Sequence, residues 1–286
     1  MKVVNDFTEY KILDMANGLK LESWNGVILS RPDPQIIWNE KQDTTLWSKA
    51  VAKYHRSKTG GGNWEVVKEV PNWQIHYKDL TFNLKLMGFK HTGLFPEQAY
   101  NWNIIRETIK NAGRKVKVLN LFAYTGGASI AALSAGAEVV HVDSSRGMID
   151  WAKENVKSNH LEDKPIRFLQ DDVVKFVERE IRRGNKYDII LMDPPSFGRG
   201  ANKEVWNIET DLYDLVSKCT EILSDDPLLF IINSYTTGLS QTILENILNI
   251  TVNKKYKGTI SSDEIGLLEE NRGLILPCGI YARWEK

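Results

Sequence analysis

The spacing of hydrophobic positions changes near residue 90 of the chain. Before that point, short apolar or mixed runs at residues 11–13, 19–24 and 27–30 are separated by the pairs Asn17-Gly18 and Asn25-Gly26. An Asn-Gly pair between extended runs favours a type I′ turn, because both turn residues need a positive φ. The pattern therefore predicts a three-stranded meander at the start of the chain.

The rest of this first part predicts a helix and a second hairpin. Residues 44–56 place apolar side chains at helical spacing, and the glycines at 60–62 indicate a loop. Residues 73–77 and 80–86 are extended runs that predict a further pair of strands. We expect residues 1–90 to form a small β-rich domain.

Residues 91–286 follow a different rhythm, in which strands and helices alternate. After a helix that begins near residue 95, the predicted strands are 116–122, 138–143, 166–170, 187–193 and 228–233, and the helices that follow them are 128–135, 146–159, 173–183, 209–223 and 241–250. Alternation of this kind specifies a parallel sheet with helices on both faces. The last 25 residues predict strands without an intervening helix, which indicates an antiparallel pair at the sheet edge.

Ligands of open α/β sheets bind beyond the carboxyl ends of the strands. Four consecutive predicted strands end there in Gly126-Gly127, Asp143, Asp171-Asp172 and Asp193-Pro-Pro-Ser-Phe197. Paired glycines let a ligand approach the backbone closely, and a carboxylate at the second position can accept both hydroxyls of a ribose. These strand ends are therefore the candidate site.

The first three strand ends also have plainer interpretations. The glycine pair fits an ordinary tight turn, and each aspartate fits a helix N-cap. The fourth strand end is harder to explain in that way, because a cap does not require two prolines and an aromatic residue directly after a buried strand.

Composition and charge restrict the class of protein. Lys plus Arg equals Asp plus Glu at 37 each, which excludes a strongly electropositive coat but not a local basic face.

Cys219 and Cys278 form no disulfide framework, so we expect a reducing compartment. The five histidines show no metal-ligand spacing, so we expect no metal. The start lacks the apolar stretch of a signal peptide, and no apolar run approaches the length of about 20 residues that a spanning helix needs. We expect a cytoplasmic protein without a membrane partner; the oligomeric state stays open.

Over residues 91–286 the chain resembles the class I S-adenosylmethionine-dependent methyltransferases. Its closer similarity is to bacterial methyltransferases of large-subunit ribosomal RNA, a group that modifies cytosine or guanine. The segments that carry this resemblance are VLNLFAYTGGAS, HVDSSRGMIDWAKENV, QDDVVKFV, YDIILMDPPSFGRG and HTGLFPEQ. The resemblance implies an α/β fold with a Rossmann-like, mostly parallel sheet and an antiparallel C-terminal edge. Residues 1–90 would then be an N-terminal extension and a candidate RNA contact.

The resemblance also implies the cofactor S-adenosyl-L-methionine and a role for individual residues. Asp143 would hold the ribose of the cofactor and Asp172 its adenine. The residues assigned to the cofactor are Thr92, Phe95, Gln98, Asn120, Phe122, Tyr124, Thr125, Gly126, Gly127, Asp143, Ser144, Asp171, Asp172 and Asp193. Those assigned to catalysis at the acceptor base are Asp193, Pro194, Pro195 and Phe197.

One departure from the cytosine-modifying pattern concerns the chemistry. Methylation of a ring carbon needs a thiolate that adds to the base, and the related enzymes carry this cysteine after the fifth strand or after the Asp-Pro-Pro strand. Here those places read NSYTTG, from Asn233, and Pro195-Ser196. Cys219 lies among apolar residues of a predicted helix and is expected in the core. The missing cysteine favours methylation of a nitrogen or an oxygen over a ring carbon. We therefore expect methylation of a base of RNA, and of ribosomal RNA in particular, at a nitrogen rather than at a cytosine carbon.

Two other functions stay open. The near-zero net charge favours a methyltransferase for a small molecule or a protein, and the fold would also suit a non-catalytic nucleotide-binding or RNA-assembly protein. The Asp-Pro-Pro-Ser-Phe segment argues against a non-catalytic protein, because such a protein would not need this segment. A nicotinamide oxidoreductase is disfavoured, because Phe122 and Tyr124 stand where the dinucleotide fingerprint requires glycine.

Two features of the first part have more than one interpretation. Six of the nine tryptophans lie within the first 102 residues and form either a base-stacking surface or, as burial statistics favour, the core of a β-rich domain. The basic stretch from His55 to the glycines at 60–62 fits a phosphate contact and a solvated loop equally well.

Overall fold

The computed structural model describes residues 1–57, 61–199 and 204–286. The chain divides into two compact units: residues 2–99 with 266–278, and residue 1 with 100–265 and 279–286. The domain boundary predicted after residue 90 stays a prediction. Within the described residues, no helix combines the length and the apolar character that crossing a membrane requires.

The first unit consists mainly of strands. Its elements are β1 (Lys2–Val4), β2 (Tyr10–Ala16), β3 (Leu19–Trp24), β4 (Val27–Pro32), α1 (Thr44–Trp47), β5 (Ala52–Arg56), β6 (Gly62–Val66), β7 (Trp73–Tyr77), β8 (Leu80–Leu84) and a 3₁₀ turn (Pro96–Gln98). Strands β2 to β6 form one sheet in that order, and β7 pairs with β8. Asn17 and Asn25 have φ of 56° and 51°, and the glycine after each is also left-handed. The predicted meander and its turns are confirmed.

The helix predicted over residues 44–56 is wrong beyond its first turn. Helix α1 ends at Trp47, and β5 pairs with β4 on one side and β6 on the other. Within β5, Ala52 and Tyr54 are buried and His55 is exposed, so a period of two overrides the helical spacing. The basic stretch after His55 falls partly outside the described residues, at positions 58–60.

The tryptophans of this unit serve packing. Trp24 and Trp47 are buried. Trp38, Trp64 and Trp73 are half-buried, and their indole N–H groups donate to backbone carbonyls at 2.6, 3.1 and 3.1 Å. Trp47 donates to the Asp14 carboxylate at 2.7 Å, whereas the buried indole N–H of Trp24 has no hydrogen-bond partner within the described residues. The burial of these side chains supports the core interpretation.

The second unit carries the alternating elements. They are α2 (Ala99–Asn111), β9 (Lys117–Leu121), α3 (Gly127–Ser134), β10 (Glu138–Asp143), α4 (Arg146–Ser158), β11 (Ile166–Gln170), α5 (Val173–Arg183), β12 (Ile189–Met192), β13 (Phe197–Arg199), β14 (Val205–Asn207), α6 (Ile208–Cys219), β15 (Leu229–Ser234), α7 (Gln241–Ile250), α8 (Val252–Lys255), β16 (Thr259–Leu268) and β17 (Ile275–Glu285). The first residue of α2, the last three of β16 and the first four of β17 belong to the first unit. The predicted alternation is confirmed. The short hairpin of β13 and β14 was not predicted.

The sheet of this unit reverses its strand order beside β9. Its order is β16-β17-β15-β12-β9-β10-β11, in which β15, β12, β9, β10 and β11 are parallel and β17 runs antiparallel to β15. The chain leaves β9 towards β10 and later returns to β12 on the other side. Such a reversal opens a crevice at the carboxyl ends of the two strands, where ligands of these sheets bind.

A buried ion pair lies within the first unit. Both carboxylate oxygens of Glu22 accept hydrogen bonds from Arg31, at 2.6 and 2.7 Å, and Tyr10 donates a further one at 2.7 Å. Burial opposes the ionisation of Glu22, but the charges of Arg31 and Lys20 and these hydrogen bonds outweigh it and lower the pKa to about 2. The ionised form of Glu22 therefore stabilises the fold.

Glu22→Gln is expected to reduce the free energy of unfolding by about 3–5 kcal/mol at neutral pH, because it leaves the Arg31 guanidinium buried without its counter-charge. The folded pKa lies below the ordinary value of 4.5, so this contribution is complete above that pH and is lost as the pH falls towards 2. Urea unfolding followed at several pH values measures both effects. Glu65→Gln, which removes an exposed carboxylate, is the control and should cost less than about 0.5 kcal/mol. Equal losses in the two variants would contradict the prediction.

Candidate functional site

The turn after β9 holds two residues in an unusual backbone conformation. Phe122 and Tyr124 have φ of 55° and 51°, and Gly126, which precedes α3, has φ of 90°. Left-handed conformations cost a residue with a side chain about 1–2 kcal/mol. The surrounding structure must therefore fix this turn, and β10 does so.

Asp143, the last residue of β10, holds the turn through its carboxylate. One oxygen accepts the backbone N–H of Tyr124 and the other that of Ser145, both at 2.8 Å. Burial raises the pKa of Asp143, although these two hydrogen bonds oppose the shift. Among the described residues no cation pairs with Asp143, so its free lone pairs are available to hydroxyl groups of a ligand. The N-cap of α4 is Ser145, so the interpretation of Asp143 as a cap is wrong.

A second set of buried side chains lies behind the turn. Asn120 donates from its amide to Ser129 Oγ at 2.9 Å, and Ser129 Oγ lies 2.9 Å from His141 Nδ1. Burial lowers the pKa of His141 to about 3, so the ring is neutral at physiological pH. The side-chain N–H of Asn120 therefore donates to a buried group of the protein rather than into an open pocket. Ser129 and His141 were missed, although His141 stands two residues before Asp143 on the same face of β10.

The paired glycines are required by packing. A Cβ at Gly126 would lie 3.2 Å from the Cβ of Ala152 in α4. A Cβ at Gly127 would lie 2.9 Å from the ring of Trp102 in α2. A side chain at Gly127 would collide with Trp102, and at Gly126 it would combine a tight contact with a left-handed backbone of φ 90°. These constraints explain both glycines whether or not a ligand approaches them. Thr125, between the turn and the glycines, is buried, and its carbonyl accepts the Asn155 amide at 2.9 Å.

The two aspartates after β11 have partners within the protein. Asp171 forms an ion pair with Arg179. Asp172 is the N-cap of α5, and its carboxylate accepts the backbone N–H of Lys175 at 2.9 Å. The cap interpretation of Asp172 is confirmed. Ser144, on the neighbouring loop, is exposed.

The segment after β12 forms a fixed loop with an exposed aromatic residue. Asp193 is half-buried and Pro194 is buried. The Pro195 carbonyl accepts the indole N–H of Trp206 at 2.7 Å, which leaves the Pro194 carbonyl as the other prolyl acceptor. Phe197 is 56% exposed. The loop therefore combines a carboxylate, a backbone acceptor and an aromatic ring.

Two contacts hold this loop against its neighbours. Ser196 Oγ lies 2.7 Å from Thr236 Oγ1, in the segment after β15. The ring of Trp206 lies 5.0 Å from that of Phe122, in the turn after β9. The loop after β12 is thus joined to the turn that Asp143 fixes. Trp206 was not predicted, because its contacts are long-range.

The remaining predicted residues belong to the first unit. Thr92 is buried, and Phe95 packs against His91 with their ring centroids 5.2 Å apart. Gln98 ends the 3₁₀ turn. Their role towards a cofactor stays a proposal.

Neither cysteine provides an accessible thiolate. Cys219 is fully buried, as predicted, and burial raises the pKa of its thiol. Burial also raises the pKa of Cys278, whose Sγ lies 3.5 Å from the Leu276 carbonyl. Both thiols are protonated at neutral pH, which makes them poor nucleophiles.

Comparison with known proteins gives consistent matches. A family described as S-adenosylmethionine-dependent methyltransferase matches residues 37–251. The crystal structure of a SAM-dependent methyltransferase from Agrobacterium tumefaciens is 36% identical to this chain, with a TM-score of 0.94 over 99% of this chain and 92% of that one. SMU.776, crystallised with SAH, shares the fold at a TM-score of 0.74 and 21% identity, over 98% of this chain and 76% of that one.

A curated relative is longer than this chain. The ribosomal RNA large subunit methyltransferase K/L of Pseudoalteromonas atlantica is 32% identical over 176 residues, which are 60% of this chain and 24% of that protein. The chain therefore spans about a quarter of the length of the curated relatives it matches.

Gly127→Ala is expected to destabilise the protein by about 1–3 kcal/mol, because the new methyl group collides with the Trp102 ring. Urea unfolding measures the loss. Trp102→Phe removes the ring atoms nearest to Gly127, so the double variant should lose less stability than the sum of the single variants. Additivity within about 0.5 kcal/mol would contradict this packing explanation. Gly147→Ala, in the first turn of α4 and in open space, is the matched control and should be neutral or stabilising by up to about 1 kcal/mol.

Proposed function

The chain belongs to the S-adenosylmethionine-dependent methyltransferase family, with S-adenosyl-L-methionine as its cofactor, and we propose that it methylates a nitrogen on a base of ribosomal or other RNA. The observation that carries this proposal is the loop after β12. It directly follows β12, which is the neighbour of β9 in the sheet, and it contains Asp193, Pro194 and the exposed ring of Phe197. The ribosomal RNA methyltransferases among the relatives support RNA as the substrate.

The residues around the turn after β9 fit the proposed cofactor. A ribose offers two hydroxyl groups, and Asp143 has carboxylate lone pairs left after binding Tyr124 and Ser145. Gly126 and Gly127 allow close packing against Ala152 of α4 and Trp102 of α2, and the backbone of this turn is proposed to contact the cofactor. Asp172 keeps one carboxylate oxygen beyond its cap hydrogen bond and is the proposed acceptor for the adenine amine. The assignment of Thr92, Phe95 and Gln98 to the cofactor, which the resemblance implies, is also part of the proposal.

The acceptor base is proposed to lie against the loop after β12. Phe197 would stack on the ring, a contact worth about 1–3 kcal/mol per base. Asp193 and the Pro194 carbonyl would accept hydrogen bonds from an exocyclic amine and so orient the nitrogen lone pair. A base within structured RNA would have to be flipped out to reach them.

The cofactor, when bound, supplies an electrophilic methyl group on a sulfonium centre whose sulfur leaves with the bonding electron pair. The contribution of the protein is position and electrostatics. Alignment of two reactants can lower a barrier by about 7–11 kcal/mol. The nitrogen forms the new bond with its lone pair and afterwards loses a proton, for which Asp193 is the nearest proposed acceptor.

A nitrogen acceptor agrees with the state of the two cysteines. Carbon methylation of cytosine requires a thiolate that forms a bond to the ring, whereas displacement by nitrogen requires no covalent bond to the enzyme. Cys219 is buried among apolar side chains, and both thiols have raised pKa values. These observations support methylation at nitrogen.

Asp143→Ala is expected to weaken S-adenosylmethionine binding at least tenfold, about 1.4 kcal/mol, because it removes charge-assisted hydrogen bonds to the ribose. Isothermal titration calorimetry on the purified protein measures the affinity. Asp150→Ala removes a carboxylate from the surface of α4, where it pairs with Arg146, and should leave the affinity unchanged. An unaltered affinity in Asp143→Ala, or tight binding of NAD, would refute the assignment of the ribose site.

The double variant Cys219→Ala, Cys278→Ala is expected to keep most of the methyl-transfer activity, since neither thiol takes part. Asp193→Ala should instead lose orders of magnitude in turnover and still bind cofactor, because the substitution removes a contact to the acceptor. Transfer of tritiated methyl groups to total RNA from a strain that lacks the gene measures both.

Each alternative has its own result in this assay. A folded but inactive cysteine variant, or an RNA adduct trapped on a cysteine with a fluorinated cytosine, would restore carbon methylation. Transfer to protein or to small molecules, with none to RNA, would favour the other class of methyltransferase. Cofactor binding without transfer to any acceptor would favour a non-catalytic role.

A further inference from the structure

The hairpin of β13 and β14 has one face turned to the protein and one to solvent. Gly198 pairs with Trp206, which is buried, and Arg199 pairs with Val205. Because side chains alternate along a strand, Phe197, Arg199 and Val205 share the opposite face. Phe197 is 56% exposed and Val205 63% exposed. We call these three residues the hairpin face.

The exposure of the hairpin face does not come from loose attachment. Trp206 donates to the Pro195 carbonyl at 2.7 Å, and its ring contacts Phe122. At the start of β14, Glu204 forms an ion pair with Lys175 at 2.6 Å. At its end, Asn207 caps α6. The hairpin is therefore held at both ends of β14, and apolar side chains remain on its outer surface.

The charge on the hairpin face is positive. The Arg199 guanidinium lies 6.0 Å from the centroid of the Phe197 ring, and no carboxylate within the described parts of the chain pairs with it. The carboxylate of Glu204 is already neutralised by Lys175. An aromatic ring beside an unneutralised arginine is the combination that binds single-stranded nucleic acid, since the ring stacks on bases and the cation binds phosphate.

We propose that the hairpin face binds the RNA strand next to the target base, with Arg199 on a backbone phosphate and Val205 against the adjoining base or ribose. This inference rests on the proposed function and narrows its substrate to a strand with phosphates beside the target. A free base or nucleoside would lack the contact to Arg199. Arg199 is thus a positioning residue for the strand, while Phe197 belongs to the acceptor site.

The test compares two arginine variants of the full chain. Arg199→Ala removes the proposed phosphate contact. Arg182→Ala removes the same charge from the last turn of α5. This turn lies near the amino ends of the parallel strands, because α5 returns towards the start of β12, whereas the hairpin face follows the carboxyl end of β12. The probes are a labelled single-stranded RNA of mixed sequence, about 12 nucleotides long, which matches the span of common single-strand sites, and total RNA as methyl acceptor.

Arg199→Ala is expected to weaken RNA binding about tenfold, as for the loss of one charge-assisted contact, and to raise the KM for total RNA without changing kcat or cofactor affinity. The slope of log affinity against log salt should fall by about 0.7, the value for one phosphate contact on a single strand. Arg199→Lys should restore most of this slope, since it keeps the charge. Arg182→Ala should leave all of these values unchanged.

The possible results separate the two proposals. If the wild-type protein methylates RNA but Arg199→Ala behaves like Arg182→Ala, the hairpin face is not the contact and the proposed function stands. If Arg199→Lys fails to restore the salt slope, the loss in Arg199→Ala is structural and the phosphate contact is refuted. If the wild-type protein methylates no RNA, the proposed function fails and this inference fails with it.

Discussion

The hydrogen bond from the Tyr124 backbone to Asp143 fixes the turn on which the rest of the site depends. This turn holds Phe122 and Tyr124 in left-handed conformations, which are unfavourable for both residues. Once the turn is fixed, the ring of Phe122 lies against Trp206. Trp206 in turn binds the Pro195 carbonyl and anchors β14. A single carboxylate at the end of β10 is therefore connected, contact by contact, to the loop after β12.

Electrostatics restrict what each ionisable group near this turn can do. Asp143 is half-buried, and burial raises its pKa, while the hydrogen bonds from the backbone of Ser145 and Tyr124 oppose this shift. His141 is neutral and belongs to a buried chain with Ser129 and Asn120. The two thiols are protonated. The absence of a thiolate and of a charge on His141 agrees with a reaction that depends on position.

Several residues that the sequence singled out have structural contacts within the protein. Asp172 caps α5, and Asp171 binds Arg179. Gly126 and Gly127 make room for Ala152 and Trp102. The sequence is compatible with both a structural and a ligand-binding role at these positions. The structural contacts depend on neighbours that are far away in the chain.

The sequence by itself determined the alternation of strands and helices, the Asn-Gly turns and the placement of glycine and aspartate at the strand ends. These features follow from the spacing of hydrophobic residues, which repeats every two to four positions, and from the backbone preferences of single residues. The tertiary structure alone decided that residues 52–56 form β5, that Trp206 anchors a hairpin, and that Asp143 binds Tyr124 rather than capping α4. Pairing, free space and hydrogen-bond partners are set by residues that lie distant in sequence and meet only in the folded chain.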